Sequence, residues 1–147
     1  VNKYAGFANI MVEVCELIDL LNHVEQNISR EIEDALKAHN LSLAKYNILK
    51  ALAEGGGRLP FSTLVERLGC VRSNVTGLID RLQDDHLVRR VDHPEDRRML
   101  FAELTDEGRA LIIATAPHYD AVINRIFDRL DTQQRDTLGD LLKTLAQ

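Results

Sequence analysis

Cysteine is scarce in this chain: Cys15 and Cys70 lie far apart in 147 residues, which excludes a disulfide-stapled scaffold. Both are expected as reduced thiols. Long apolar runs are missing, since none approaches the ~18 consecutive residues of a membrane span. The start, VNKYAGFANIMVEV, lacks the basic region and small-residue cleavage site of a signal peptide. A cytoplasmic protein is therefore expected, with no membrane partner. The first residue is Val, not Met, so a start further upstream is expected. Catalytic signatures are absent too. There is no HExxH, no paired metal-ligand spacing and no nucleophile motif. Gly55-Gly56-Gly57 is followed by no Gly-Lys-Ser/Thr and is embedded in no dinucleotide fingerprint, so it reads as a flexible turn and not a phosphate cradle. No enzyme, metal or cofactor is expected.

A basic excess is also lacking. The net charge is −5, whereas a binder of duplex DNA usually carries a basic footprint. Position qualifies the total. From Arg58 to Leu100 there are eight Arg against seven acids, giving +1, so the rest of the chain carries −6. What is present in quantity is ordinary: 45% apolar and 28% charged residues, enough for one soluble globular unit with a real core.

That unit is organised around Phe61 to Glu103. A short helix from Phe61 or Ser62 to Leu68 buries Leu64, Val65 and Leu68, and Gly69 supplies the positive φ of a turn. A second helix from about Arg72 buries Val75, Leu78, Ile79 and Leu82. Its other face carries Arg72, Ser73, Asn74, Thr76, Gly77 and Asp80. Short hydrogen-bonding side chains suit close entry into a major groove; the alternative is a merely solvated face. Leu87 to Asp92 and Met99 to Leu104 then read as two strands joined by HPEDRR, with Pro94 favouring the turn. Arg97 and Arg98 stand at its exit beside Asp96. Either the acids screen the arginines, or an acid two residues before an Arg holds that guanidinium extended for a minor groove, above all a narrow one. Arg58-Leu59-Pro60 is a short edge strand or an extended lead-in.

Helices flank this module. Ile10, Val14, Leu17, Leu21, Val24, Ile28, Ile32 and Leu36 recur at steps of three or four, giving roughly seven helical turns. His39-Asn40 ends that helix, and Ser42 caps the next, through Tyr46, Leu49 and Leu52. Thr105 caps a later helix, with Asp106 and Glu107 in its first turn. Pro117 is expected to kink or restart it before Val122, Ile123, Ile126, Phe127 and Leu130. Asp131 and Gln134 resemble a capping box opening a last helix with Leu138, Leu141, Leu142 and Leu145 on one stripe. These two ends have more apolar surface than one copy can cover. A twofold dimer is expected through Ile10, Val14, Leu17, Leu21, Ile126, Leu138, Leu141, Leu142 and Leu145.

Leu68-Gly69, RSNVTGLIDRL, LVRRVDHPEDRR and Leu104-Thr105-Asp106-Glu107-Gly108 together resemble the MarR family of bacterial transcriptional regulators, across nearly the whole chain. The resemblance implies a mainly α fold with a small β-hairpin wing. It implies one unit over 1–147, with a winged-helix module at about 42–104 and a helical dimerisation framework at 7–38 and 105–147. It further implies a homodimeric repressor on a pseudo-palindromic operator, released by a small phenolic or aromatic ligand. Arg72, Ser73, Asn74, Thr76 and Gly77 match the family's recognition-helix surface. Asp96 and Arg98 match its wing pair. Val71 stands where a capping Ser is common, and Gly77 where Arg is common. Oxidation of Cys15 or Cys70 is an alternative release signal, although Cys15 is expected to be buried and Cys70 to pack. A winged helix used only for protein contact is the other rival.

Overall fold

The computed structural model describes residues 5–92 and 100–147, with side chains described from Glu13 onward. Among these the order is α1 (Ala5–Lys37), α2 (Leu43–Glu54), β1 (Arg58–Pro60), α3 (Phe61–Leu68), α4 (Arg72–Asp84), β2 (Val88–Asp92), β3 (Leu100–Leu104), α5 (Asp106–Phe127) and α6 (Thr132–Leu145). The 33 residues of α1 make about nine turns and about 50 Å of rod. That exceeds the seven turns of its apolar stripe, because Ala5 and Gly6 join the helix upstream. It stops where Asn40 takes a φ of 54°, a left-handed value Asn tolerates, and Leu41 N–H turns back to the Leu36 carbonyl at 3.2 Å. The Ser42 hydroxyl then accepts Lys45 N–H at 3.3 Å, capping α2 as expected.

One core serves the central module. Tyr46, Ile48, Leu49 and Leu52 of α2 meet Phe61 and Leu64 of α3, and Val75, Ile79 and Leu82 of α4. Val65, Leu68 and Leu78, expected inside, are only partly buried at its margin. The sheet, in order β1-β3-β2 and antiparallel throughout, closes one side with Val88, Ala102 and Leu104. Pro60 lies on the edge strand β1 opposite Phe101, where its missing N–H is tolerated. The triple glycine is a turn. Gly57 has a φ of 94°, and its carbonyl accepts Leu104 N–H at 2.8 Å, which ties the turn to β3.

Ile32 and Leu36 of α1 and Ile112 and Val122 of α5 join the same core, so the framework is rooted in the module. Tyr46 stacks on Tyr119 of α5 with ring centroids 4.7 Å apart. Burial pushes the Tyr46 phenol up to about 12, so it stays neutral at physiological pH. Pro117 does not restart the helix, one of the two outcomes expected of it: α5 is continuous through it. Pro removes only the donor for the Ile113 carbonyl, and Ile113 and Pro117 are both exposed, so water can serve that carbonyl. Ile112 and Val122, buried on either side, hold both halves to the core.

Among the described residues, the outer ends have no cover from their own chain. Leu17 is 59% exposed, Leu141 59% and Leu145 74%. Val14, Leu21 and Leu142 are exposed as well, whereas Ile126 and Leu138 are partly buried. Ile10 lies on α1, but its side chain is outside the described set. Ile18 and Leu20 add to the uncovered face, making it wider than a three-four stripe. Helix α6 buries no residue, yet it is well started. Asp131 accepts Gln134 N–H at 2.8 Å and Gln134 accepts Asp131 N–H at 2.9 Å, the expected capping box. The expected burial of Cys15 fails for the same reason as the exposed stripe: nothing among the described residues covers this half of α1, and the thiol is exposed. Cys70 is also exposed, with its S–H directed at the Leu68 carbonyl at 3.3 Å. It is no packing residue.

Candidate nucleic-acid interface

Helix α3, the turn at Gly69 (φ 59°) and α4 form the helix-turn-helix, and the buried row Val75, Ile79 and Leu82 fixes the roll of α4. That roll turns Arg72, Ser73 and Asn74 outward as exposed residues, with Thr76 and Gly77 half-buried beside them. Ser73, Asn74 and Gly77 share a shallow depression of about 360 Å³ with Leu78 and Arg81. A Cβ at Gly77 would meet nothing within 4 Å, so its smallness serves no packing inside the chain. It lowers the rim of the depression, which suits close approach by another surface. Thr76 Oγ1 donates to the Arg72 carbonyl at 3.0 Å, which leaves the hydroxyl as an acceptor toward a ligand.

Arg81 was not singled out by sequence, yet it lines the same depression and is exposed. The signal was its place one turn beyond Gly77 on the outward face. It supplies a cation near the position where Gly77 withholds one. The cap is weak: Val71 makes no side-chain hydrogen bond to the helix start, and Ser73 makes none in its stead. Asn74 N–H is held by the Val71 carbonyl at 3.0 Å.

The acid on the outward face of this helix is accounted for. Asp80 pairs with Arg90 of β2, and the same guanidinium lies 5.6 Å over the Phe61 ring. The contact couples the recognition helix to the wing strand and offsets a negative charge that would face phosphate. Being partly exposed, it is worth at most about 1 kcal/mol in stability. Within the wing, Arg89 and Glu103 face each other across β2 and β3. Their hydrogen bonds are 3.0 and 3.3 Å. The Arg89 hydrogen bond holds the Glu103 carboxyl below the usual carboxylate range, with Arg58 and Arg109 adding attraction.

The strands are paired up to Asp92 opposite Leu100, so the hairpin base is as expected. Its tip, residues 93–99, and with it Asp96, Arg97 and Arg98, lies outside the described residues. Among the described residues no three His, Cys, Asp or Glu converge as metal ligands, and no helix is long and apolar enough to cross a membrane.

A helix-turn-helix with an exposed polar second helix, followed by an antiparallel hairpin, defines a winged helix-turn-helix protein. The family model for the MarR family matches residues 39–99. The chain is 30% identical to the HTH-type transcriptional repressor YetL of Bacillus subtilis (strain 168), over 95% of this chain and 87% of that one. It is also 30% identical to the homoprotocatechuate degradative operon repressor of Escherichia coli, over 74% and 72%. Among solved structures, the MarR family regulator Sco3205 of Streptomyces coelicolor in complex with DNA superposes with a TM-score of 0.82. Its identity is 29%, covering 90% of this chain and 86% of that one. The chain belongs to the MarR family of transcriptional regulators.

Proposed function

We propose that the chain is a cytoplasmic, sequence-specific DNA-binding repressor, not an enzyme, that acts as a homodimer on a pseudo-palindromic operator. The observation that carries this is the outward face of α4, where Ser73, Asn74, Gly77 and Arg81 line one depression and Arg72 and Thr76 lie on the same helix beside it. Its length and polarity suit a major groove. The uncovered apolar faces of α1 and α6 pack against a second copy through Val14, Leu17, Leu21, Leu141, Leu142 and Leu145. Ile10, Ile126 and Leu138 lie at the edge of that contact. The dimer sets two α4 helices near one DNA turn apart, roughly 34–36 Å. Each wing, with Asp96, Arg97 and Arg98 at its tip, enters the neighbouring minor groove. A small aromatic or phenolic ligand in the cleft between framework and module favours another spacing and releases the DNA. The homoprotocatechuate repressor's name supports that ligand class. Its effect is bounded by the difference in its affinity for the two arrangements.

Selection of bound fragments from random DNA, followed by a ligand screen for release, tests the whole reading. Absence of any enriched, symmetric sequence would remove it. Within that experiment Asn74→Ala is expected to relax base preference at one position per half-site, by about 1–3 kcal/mol. Equal weakening on every sequence would show that Asn74 reads no base. Arg98→Ala is expected to weaken binding and to reduce the salt slope by at most about one per subunit. Unchanged affinity across a salt series takes the wing out of the mechanism. Exposure of the Cys70 thiol favours a second release signal, oxidation at this residue beside the start of α4. Loss of binding in peroxide that Cys70→Ser prevents separates it from ligand release.

A further inference from the structure

His39 and His118 come from opposite ends of the sequence and meet where the turn between α1 and α2 touches α5. His39 Nε2 lies 3.3 Å from His118 Nδ1, and the rings, 4.9 Å between centroids, are tilted by 54°. His39 is half-buried and His118 exposed, so solvent reaches the pair. Neither the DNA-reading face nor the uncovered apolar faces use it.

At 3.3 Å the two nitrogens are within reach of a long hydrogen bond. The same span also suits another chemistry. Two imidazole nitrogens at about 2.0–2.1 Å from one tetrahedral ion stand about 3.3–3.4 Å apart. The nitrogens thus stand at the span of two metal ligands. His118 Nδ1 also lies 3.3 Å from the Ala114 carbonyl. Coordination asks the ring to release that contact, itself long and on a solvent-exposed helix face.

We infer that His39 and His118 form a two-imidazole site for a divalent transition ion, with water in the remaining positions. Imidazole pairs suit Zn²⁺, Ni²⁺ and Cu²⁺, not Mg²⁺ or Ca²⁺. The ion closes a link of 79 residues between the α1–α2 turn and α5. It therefore pins the entry of the winged module to the framework. Because metal binds a site that the unfolded chain does not preform, occupancy raises thermal stability by mass action.

The test titrates tag-free, full-length protein with Zn²⁺ and with Ni²⁺, following the thermal midpoint and the imidazole resonances. Saturable binding of one ion per chain is expected, with the His39 and His118 signals moving together and the midpoint rising. His39→Ala and His118→Ala should each weaken the apparent affinity at least about tenfold, while His23→Ala leaves it unchanged. His39→Gln, which keeps bulk but donates no imidazole nitrogen, should behave like His39→Ala. The inference is overturned by absent saturation, by affinity retained in either alanine variant, or by equal responses at His23 and His86. None of these outcomes depends on whether the protein binds DNA.

Discussion

Gly108→Ala is expected to lower the unfolding free energy by about 3–5 kcal/mol, although Ala in a helix ordinarily outperforms Gly by ~0.5–1 kcal/mol. A Cβ at Gly108 would lie 2.0 Å from the Leu87 carbonyl oxygen, 3.0 Å from its carbon and 3.2 Å from Leu104 Cδ2. The first of these is backbone and cannot swing aside. Nor can the start of α5 retreat cheaply. The Thr105 hydroxyl accepts Gly108 N–H at 3.0 Å and donates to the His86 carbonyl at 2.7 Å. Thr105 N–H donates to the Leu87 carbonyl at 3.2 Å. Adding one carbon forces that lock open. Overpacking costs about 1–3 kcal/mol and sometimes more, and each lost hydrogen bond adds about 0.5–1.5.

A domain stability of only ~5–15 kcal/mol makes that loss visible in a denaturant midpoint. Gly77→Ala provides the control, since its Cβ meets nothing within 4 Å. It should stabilise by roughly 0.5–1 kcal/mol. The opposite signs of two Gly→Ala changes in helices, measured by urea unfolding, test the geometry and not the propensity. If Gly108→Ala left the midpoint unchanged, the close approach of α5 to Leu87 would be refuted. The lock also has a functional consequence. It joins the end of α4, the start of β2 and the start of α5, so a variant that opens it should loosen the wing against α4.

Local signals carried most of the fold. Ser42, Thr105 and Asp131 were legible as caps because a cap is set by residues three apart. Gly69 and Asn40 were legible stops for the same reason. The outward face of α4 followed from the buried row Val75, Ile79 and Leu82. What escaped depends on partners remote in sequence. Gly108 read as part of a motif, but the carbonyl that demands it is at Leu87. Asp80 read as one more residue of the polar face, and its Arg90 partner is on a strand. Arg81 escaped because the extent of a groove-facing surface depends on how α4 sits on the core. A restart at Pro117, suggested by local preference, does not occur, since burial of Ile112 and Val122 on both sides outweighs one missing hydrogen bond. Cys15 was misjudged. A place beside an apolar stripe implies burial only if something covers the stripe.

Covering that stripe is the second large effect. Leu17→Glu combined with Leu141→Glu is expected to yield a single-chain species by sedimentation, with operator affinity reduced roughly 10²–10⁴-fold. Leu17 and Leu141, each 59% exposed, lie on the two faces that their own chain leaves open. Neither touches the core that holds the module together, so the cost falls on association. Each recognition helix alone has one half-site to read. Joining two makes the second contact intramolecular, and that advantage disappears with the dimer although no DNA-contacting residue has changed. Two readouts keep the causes apart. Helical content by circular dichroism should persist, because Ile32, Leu36, Ile112 and Val122 still root α1 and α5 in the module. Binding to an isolated half-site should be unaffected, since Asn74 and its neighbours remain in place. A double variant that still sediments as a dimer would move the interface away from α1 and α6. One that loses half-site binding as well would mean that the module depends on the second copy for its own folding.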